Sequence, residues 1–137
     1  MTANPPRVPP LPAGTVAIGW ASVELERAER ELAGLVDAGQ QFRVAPDSMA
    51  LGARCLVGSV GPAADALRIV LLEPATEGRL AAHLARYGEG WAARWVGAAE
   101  GASTVTLRAG PLGRERLLVD LADEVFRLGL ETTTIAP

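Results

Sequence analysis

The side chains that carry most base, nucleophile and imine chemistry are nearly missing from this sequence: it has one histidine, His83, one cysteine, Cys55, and no lysine. A single histidine excludes a mononuclear metal site built on histidines of one chain. A single cysteine excludes an internal disulfide and any cysteine-based metal cluster. Cys55 lies in the apolar run ALGARCLVGSV and reads as a small packing residue. His83 lies in LAAHLAR, where it is expected on the solvent side of a helix. No Ser/His/Asp order is available, because the lone histidine has no strained nucleophile beside it. No glycine-rich loop precedes a helix; the nearest cluster, GPLG, falls in a hairpin. What remains is aromatic, arginine and carboxylate chemistry: stacking, burial and one proton transfer. No metal and no cofactor is expected.

The chain that must position these groups has 137 residues, the size of one domain, with 49% apolar and 21% charged residues. Such a chain can bury a core without staples. The net charge of −3 and the absence of a basic block argue against nucleic acid as a partner. No apolar run of about 18 residues occurs, so no membrane span is expected. With no signal pattern at the start, the expected location is the cytoplasm.

Residues 1–14 hold five prolines and read as a flexible lead-in. A single domain is expected over 15–130, with a tail over 131–137. The pattern predicts a strand over 15–23 and an amphipathic helix over 24–38 closed by Gly39. Strands follow over 41–44, 49–60 and 67–73, the last stopping at Pro74. A helix is predicted over 76–86, then strands over 91–96, 103–107 and 115–121, and a closing helix over 121–130. Strand alternation places Trp91, Ala93 and Trp95 on one face, and Trp20 on the face under the first helix. Glu73 reads as a turn or helix-capping residue. The fold class is α+β with a mostly antiparallel sheet.

Two segments resemble a known superfamily. AIGWASVELERA is similar to the opening strand and helix of methylmalonyl-CoA epimerases, and IVLLEP followed by a short helix and GEG is similar to their middle region. The superfamily is the vicinal oxygen chelate group, which includes glyoxalase I and bleomycin-resistance proteins. The resemblance implies paired βαβββ modules forming a curved half-barrel around a cavity. The second module would lack its helix, since only GAAEGA separates two of its strands. An uncovered sheet face there predicts a homodimer.

The resemblance places the family's metal ligands at Ala17, Val70, Ala92, Ala93 and Asp120. Four of these five side chains have no lone pair for a cation. From those positions, alternation brings Gly19 and Ala21 beside Ala17, Arg68 and Leu72 beside Val70, and Arg116 and Leu118 beside Asp120. The implied cavity is apolar, with Trp91 and Trp95 as its aromatic walls. The expected function is metal-independent binding of an apolar small molecule, a secondary metabolite or acyl thioester, as a binding or resistance protein. The same pocket would serve an isomerase or cyclase using Asp120 as its acid/base group. A metal-dependent epimerase and a non-catalytic interaction module are the alternatives.

Overall fold

A computed structural model describes residues 7–62, 65–97 and 107–134. Eight strands form one sheet in the order β2-β3-β4-β1-β5-β8-β7-β6. They are β1 (Thr15–Ala21), β2 (Arg43–Ser48), β3 (Ala53–Val60), β4 (Leu67–Pro74), β5 (Gly90–Gly97), β6 (Arg108–Gly110), β7 (Gly113–Leu117) and β8 (Leu128–Thr134). Helix α1 (Leu25–Leu32) continues into a short 3-10 turn, and α2 (Arg79–Tyr87) links β4 to β5. In each half the first and last strands pair in parallel, β1 with β4 and β5 with β8, while β1 and β5 run antiparallel at the centre. That is a βαβββ unit beside a second four-stranded unit, β5 to β8, the α+β half-barrel expected. The stretch in which the second unit's helix was expected to be missing, 98–106, lies outside the described residues. The two ends of the sheet also approach each other: the Met49 amide, just past β2, donates to the Ala109 carbonyl of β6 at 3.0 Å.

Each face of the sheet has its own core. On the inner face Ala17, Val70, Leu72, Ala93, Trp95 and Leu130 are buried together. On the outer face Ile18, Ile69 and Leu71 pack under Ala28 and Leu32 of α1. The alternation of β1 (TVAIGWA) and β4 (LRIVLLEP) supplies both sets, as period-2 strands covered on two sides should.

Helix α1 has no capping side chain of its own. Two distant carboxylates take that role. Glu73, at the end of β4, accepts from the Leu25 amide at 3.2 Å, and its other oxygen pairs with Arg54. Glu89 accepts from the Val23 amide at 2.9 Å and the Ser22 hydroxyl at 3.2 Å, and pairs with Arg27. The Val23 amide is the main reason the Glu89 carboxyl titrates below its ordinary range. The LLEP and GEG segments thus meet at the start of α1, and their glutamates hold the frame together.

The C-terminal segment departs from the sequence expectation. No helix forms over 121–130; Val119–Leu121 is a 3-10 turn, and Leu128–Thr134 is β8, reaching into the stretch expected as a tail. Local helix propensity yields here to pairing on both sides, with β5 and with β7. The turn folds over the outer face of β8, where a Cβ on Gly129 would lie 2.4 Å from Leu121 Cβ. The lead-in is also packed where it is described: Val8 and Leu11 join the outer core, and the Arg7 carbonyl accepts from Trp91 Nε1 at 3.0 Å. Both segments pack on the outer face of the sheet.

Because Glu89 is held below its ordinary pKa, it stabilises the fold above the carboxylate's unfolded pKa, and this is lost as pH falls through the folded value. Glu89→Gln should therefore lower the urea midpoint at neutral pH and flatten the loss of stability on acidification.

Candidate functional site

The inner face of the barrel is where the sequence placed a cavity. Gly19 stands opposite Ala93 on β5 and Val70 on β4, so three small or medium side chains surround one point. The Trp95 indole occupies that point. A Cβ on Gly19 would lie 2.9 Å from Trp95 Cζ3 and 2.9 Å from Leu72 Cδ1. The wall of Ala17, Gly19 and Ala21 is thus a seat for an indole. Trp95 has 0% exposure.

The indole is anchored at its polar end. Trp95 Nε1 donates to Glu115 Oε1 at 3.1 Å, across the inside of the sheet to β7. Glu115 Oε2 accepts from the Ser48 hydroxyl at 2.5 Å and from the Ala50 amide at 3.3 Å. Ser48 Oγ in turn accepts from the Leu51 amide at 3.3 Å. Ser48 and Glu115 are fully buried. The carboxylate fits because β6 carries glycine beside it: a Cβ on Gly110 would lie 2.2 Å from Glu115 Oε1. Burial raises the Glu115 pKa, and the Ser48, Trp95 and Ala50 donors oppose that rise.

The remaining inner positions are apolar or spent. Val70, Leu72, Ala93 and Leu130 are buried and carry no donor or acceptor in the side chain. Thr132 donates its hydroxyl to the Arg114 carbonyl at 2.9 Å. Burial pushes the Cys55 thiol up to about 12, which makes it inert as well as buried. Among the described residues no three His, Cys, Asp or Glu side chains converge in a way that would hold a metal ion.

The expected site residues divide into two groups. Ala17, Gly19, Val70, Leu72 and Trp95 meet on the inner face, and Arg68 is half-buried at the start of β4. Trp91 does not join them. Gly19 pairs with Ala93 but Trp20 pairs with Trp91, so Ala92 is an extra residue in β5, a β-bulge that reverses the alternation. Trp91 therefore points outward, edge-on to Trp20 with ring centroids 5.1 Å apart. Arg116 is also on the outer face, where Arg116 Nε donates to Glu131 Oε1 at 2.8 Å. Strand β7 ends at Leu117, so Leu118 and Asp120 do not continue its alternation. Leu118 donates its amide to Gly129, and Asp120 is exposed in the 3-10 turn, away from the inner face. His83 is buried against expectation, with both ring nitrogens lacking a partner.

Glu115 and Ser48 were missed. The signal was present in GRERL, where Glu115 alternates with Leu117 once the hairpin fixes Gly110 opposite Gly113. Counting back from Asp120 gave the opposite parity.

Comparison with known proteins places the fold. No protein-family model matches the chain, and no curated protein matches it. Solved structures do. A methylmalonyl-CoA epimerase variant from Streptomyces coelicolor, in complex with 2-nitronate-propionyl-CoA, is similar with a TM-score of 0.69 at 19% identity, over 89% of this chain and 97% of that one. The methylmalonyl-CoA epimerase of Mycobacterium tuberculosis gives 0.68 at 18% identity, over 99% of this chain and 94% of that one. A hypothetical protein from Bacillus halodurans gives 0.65 at 16% identity, over 90% and 95%. The chain has the vicinal oxygen chelate type of fold; at these identities the likeness extends to the fold alone.

Two predictions follow from the geometry around Glu115. A carboxyl whose folded pKa is raised contributes fully below its unfolded pKa, and that contribution is lost as pH rises through the folded value. Glu115→Gln keeps an acceptor for Trp95 but sets an NH2 group where the Ser48 hydroxyl and the Ala50 amide donate, so it should be less stable than the parent at acidic pH; because it does not titrate, its stability relative to the parent should increase from acidic to neutral pH in urea titrations. Gly19→Ala should destabilise at every pH by about 1–3 kcal/mol, because the indole has no room to retreat.

Proposed function

We propose that this chain is a metal-independent, non-catalytic binding protein on a vicinal oxygen chelate frame, with its barrel centre given over to packing. The observation that carries the reading is the Trp95 indole, buried at the inner centre and tied to Glu115. The residues that face inward on β1, β4, β5 and β8 do not fit a divalent metal: they are Ala17, Gly19, Val70, Leu72, Ala93, Trp95 and Leu130, and the one hydroxyl, on Thr132, is engaged. Asp120 is exposed in the 3-10 turn, so the reading assigns it no acid/base role. An apolar ligand inside the barrel would have to displace the indole.

The binding surface is instead a cleft of about 590 Å³ between the start of α1 and strands β2 and β3. Leu25, Val44, Ala45 and Leu56 give it an apolar lining, and Glu24, Glu26, Glu29, Asp47 and Glu73 border it. Its one arginine, Arg54, is paired with Glu73. Such a cleft suits a molecule with an apolar body and a positive charge, and its field would repel an acyl-CoA of the kind bound by the Streptomyces coelicolor epimerase. We expect a homodimer, with sedimentation as the test; a monomer would overturn that expectation.

Protein purified without added metal should carry substoichiometric Co²⁺, Mn²⁺ and Zn²⁺, and should leave methylmalonyl-CoA unchanged; stoichiometric metal or epimerisation would overturn the reading. Trp95→Ala should cost about 3–5 kcal/mol and open a cavity. An apolar fluorescent probe should then bind the variant in its interior and not the parent, and equal interior binding by both would contradict the filled centre.

A further inference from the structure

Helix α2 and the segment before β8 gather a second set of polar groups, separate from the barrel interior and from the acidic cleft. Arg79, His83 and Arg86 recur along one side of α2, with Tyr87 next to them. Arg127 reaches the same place from the chain just ahead of β8. Its guanidinium carbon lies 4.0 Å from the centroid of the Tyr87 ring, and that of Arg86 lies 5.2 Å from it. The His83 and Tyr87 rings are 4.9 Å apart. With Ala82 and Leu128 these residues line an open cleft of about 410 Å³.

Two features make this more than a basic patch. The first is charge. Three arginines meet in a chain of net charge −3, and among the described residues none of the three lies within ion-pair distance of a carboxylate. Arg27, Arg54 and Arg116, by contrast, each have a glutamate partner. Gathering like charges without a counter-charge is costly, and an incoming anion would offset it. The second is His83. It is only 7% exposed, and neither ring nitrogen has a hydrogen-bond partner. A buried, unpaired imidazole is costly, and a negative charge seated beside it would ease that cost by favouring the protonated ring. Burial, and then the charge of Arg127, hold its pKa below the ordinary value, so the ring rests neutral beside the arginines. The charged and titratable groups facing it are Arg79, Arg86 and Tyr87 of its own helix and Arg127 from the segment before β8.

We propose that this cleft binds the phosphate group of a small phosphorylated molecule. Guanidinium groups present paired N–H donors that match phosphate oxygens, and stacking on Tyr87 fixes the plane of the Arg127 fork while leaving its edge free. A dianion with several acceptor oxygens uses more of these donors than a carboxylate does. The overall negative charge of the chain and the limited size of the cleft favour a small molecule over a polyanion. The bound anion would reverse the electrostatic setting of His83, so binding draws a proton onto its ring. The site does not depend on the reading of the barrel centre.

His83 is the only histidine, so its ring nitrogens give one unambiguous pair of signals in nitrogen-15 NMR spectra. Sodium phosphate is titrated into the full-length protein at constant ionic strength, with sodium chloride and sodium acetate in parallel. The expected result is a saturable shift of the His83 signals with phosphate, a rise in the His83 pKa, and weaker or absent effects of the other two salts. Arg127→Gln and Arg86→Gln, both at exposed positions, should each weaken phosphate binding by about tenfold. Arg30→Gln, on the far helix α1, should leave it unchanged. A shift that never saturates, one that chloride reproduces, or equal affinity in the Arg127→Gln protein would overturn the proposal. Acetate binding as tight as phosphate would overturn the choice of phosphate.

Discussion

The structure depends on a carboxylate in the wrong place for a carboxylate. Glu115 is fully buried, yet it receives donors from the centre of the sheet through Trp95 and from the far edge through Ser48 and the Ala50 amide. Strand β2 begins the sheet and β7 lies next to its other end. One side chain therefore bridges the two ends and the middle at once. Desolvating that charge is expensive, and the three donors compensate it only while all of them are in position. The result is a geometric condition: the indole, the turn after β2 and the β6–β7 hairpin must hold their relative placement together. The Met49–Ala109 hydrogen bond closes the same seam from the backbone.

The frame around this cluster is held by other glutamates. Glu73 and Glu89 belong to the two segments that most resemble an epimerase, and both are occupied with the N-terminal turn of α1. Their work is local and electrostatic, and it is indifferent to what fills the barrel. A frame held in this way can be kept at the 18% and 19% identity that separates this chain from its structural neighbours. Fold and site are specified by different residues here.

How far the sequence was legible follows the same division. The alternating strands β1 and β4, the amphipathic α1 and the glycine exits gave the architecture, because period and punctuation are local properties. The face of Trp91 was not legible, while that of Arg116 was lost by counting past the end of β7. A single extra residue, Ala92, reverses the side of every residue beyond it, and nothing in WAARWV announces a bulge. The helix read over 121–130 failed for a related reason. VFRLGL has apolar residues at near-helical spacing, but β5 and β7 each had one open edge, and a strand satisfies both rows of backbone groups where a helix would satisfy neither. His83 was placed in solvent because its helix was judged alone; the segment with Arg127 that packs beside it comes from much later in the chain.

The close fit of Gly19 against Trp95 bears on how such a protein changes over time. Any β-carbon at 19 collides with the indole, and removing the indole leaves Glu115 without its Nε1 donor and the centre without its largest side chain. A larger side chain at 19 would thus be penalised until Trp95 had already gone, and the loss of Trp95 would be penalised by itself. The two positions are coupled: neither changes at low cost unless the other changes with it, so the interior tolerates paired substitutions better than single ones.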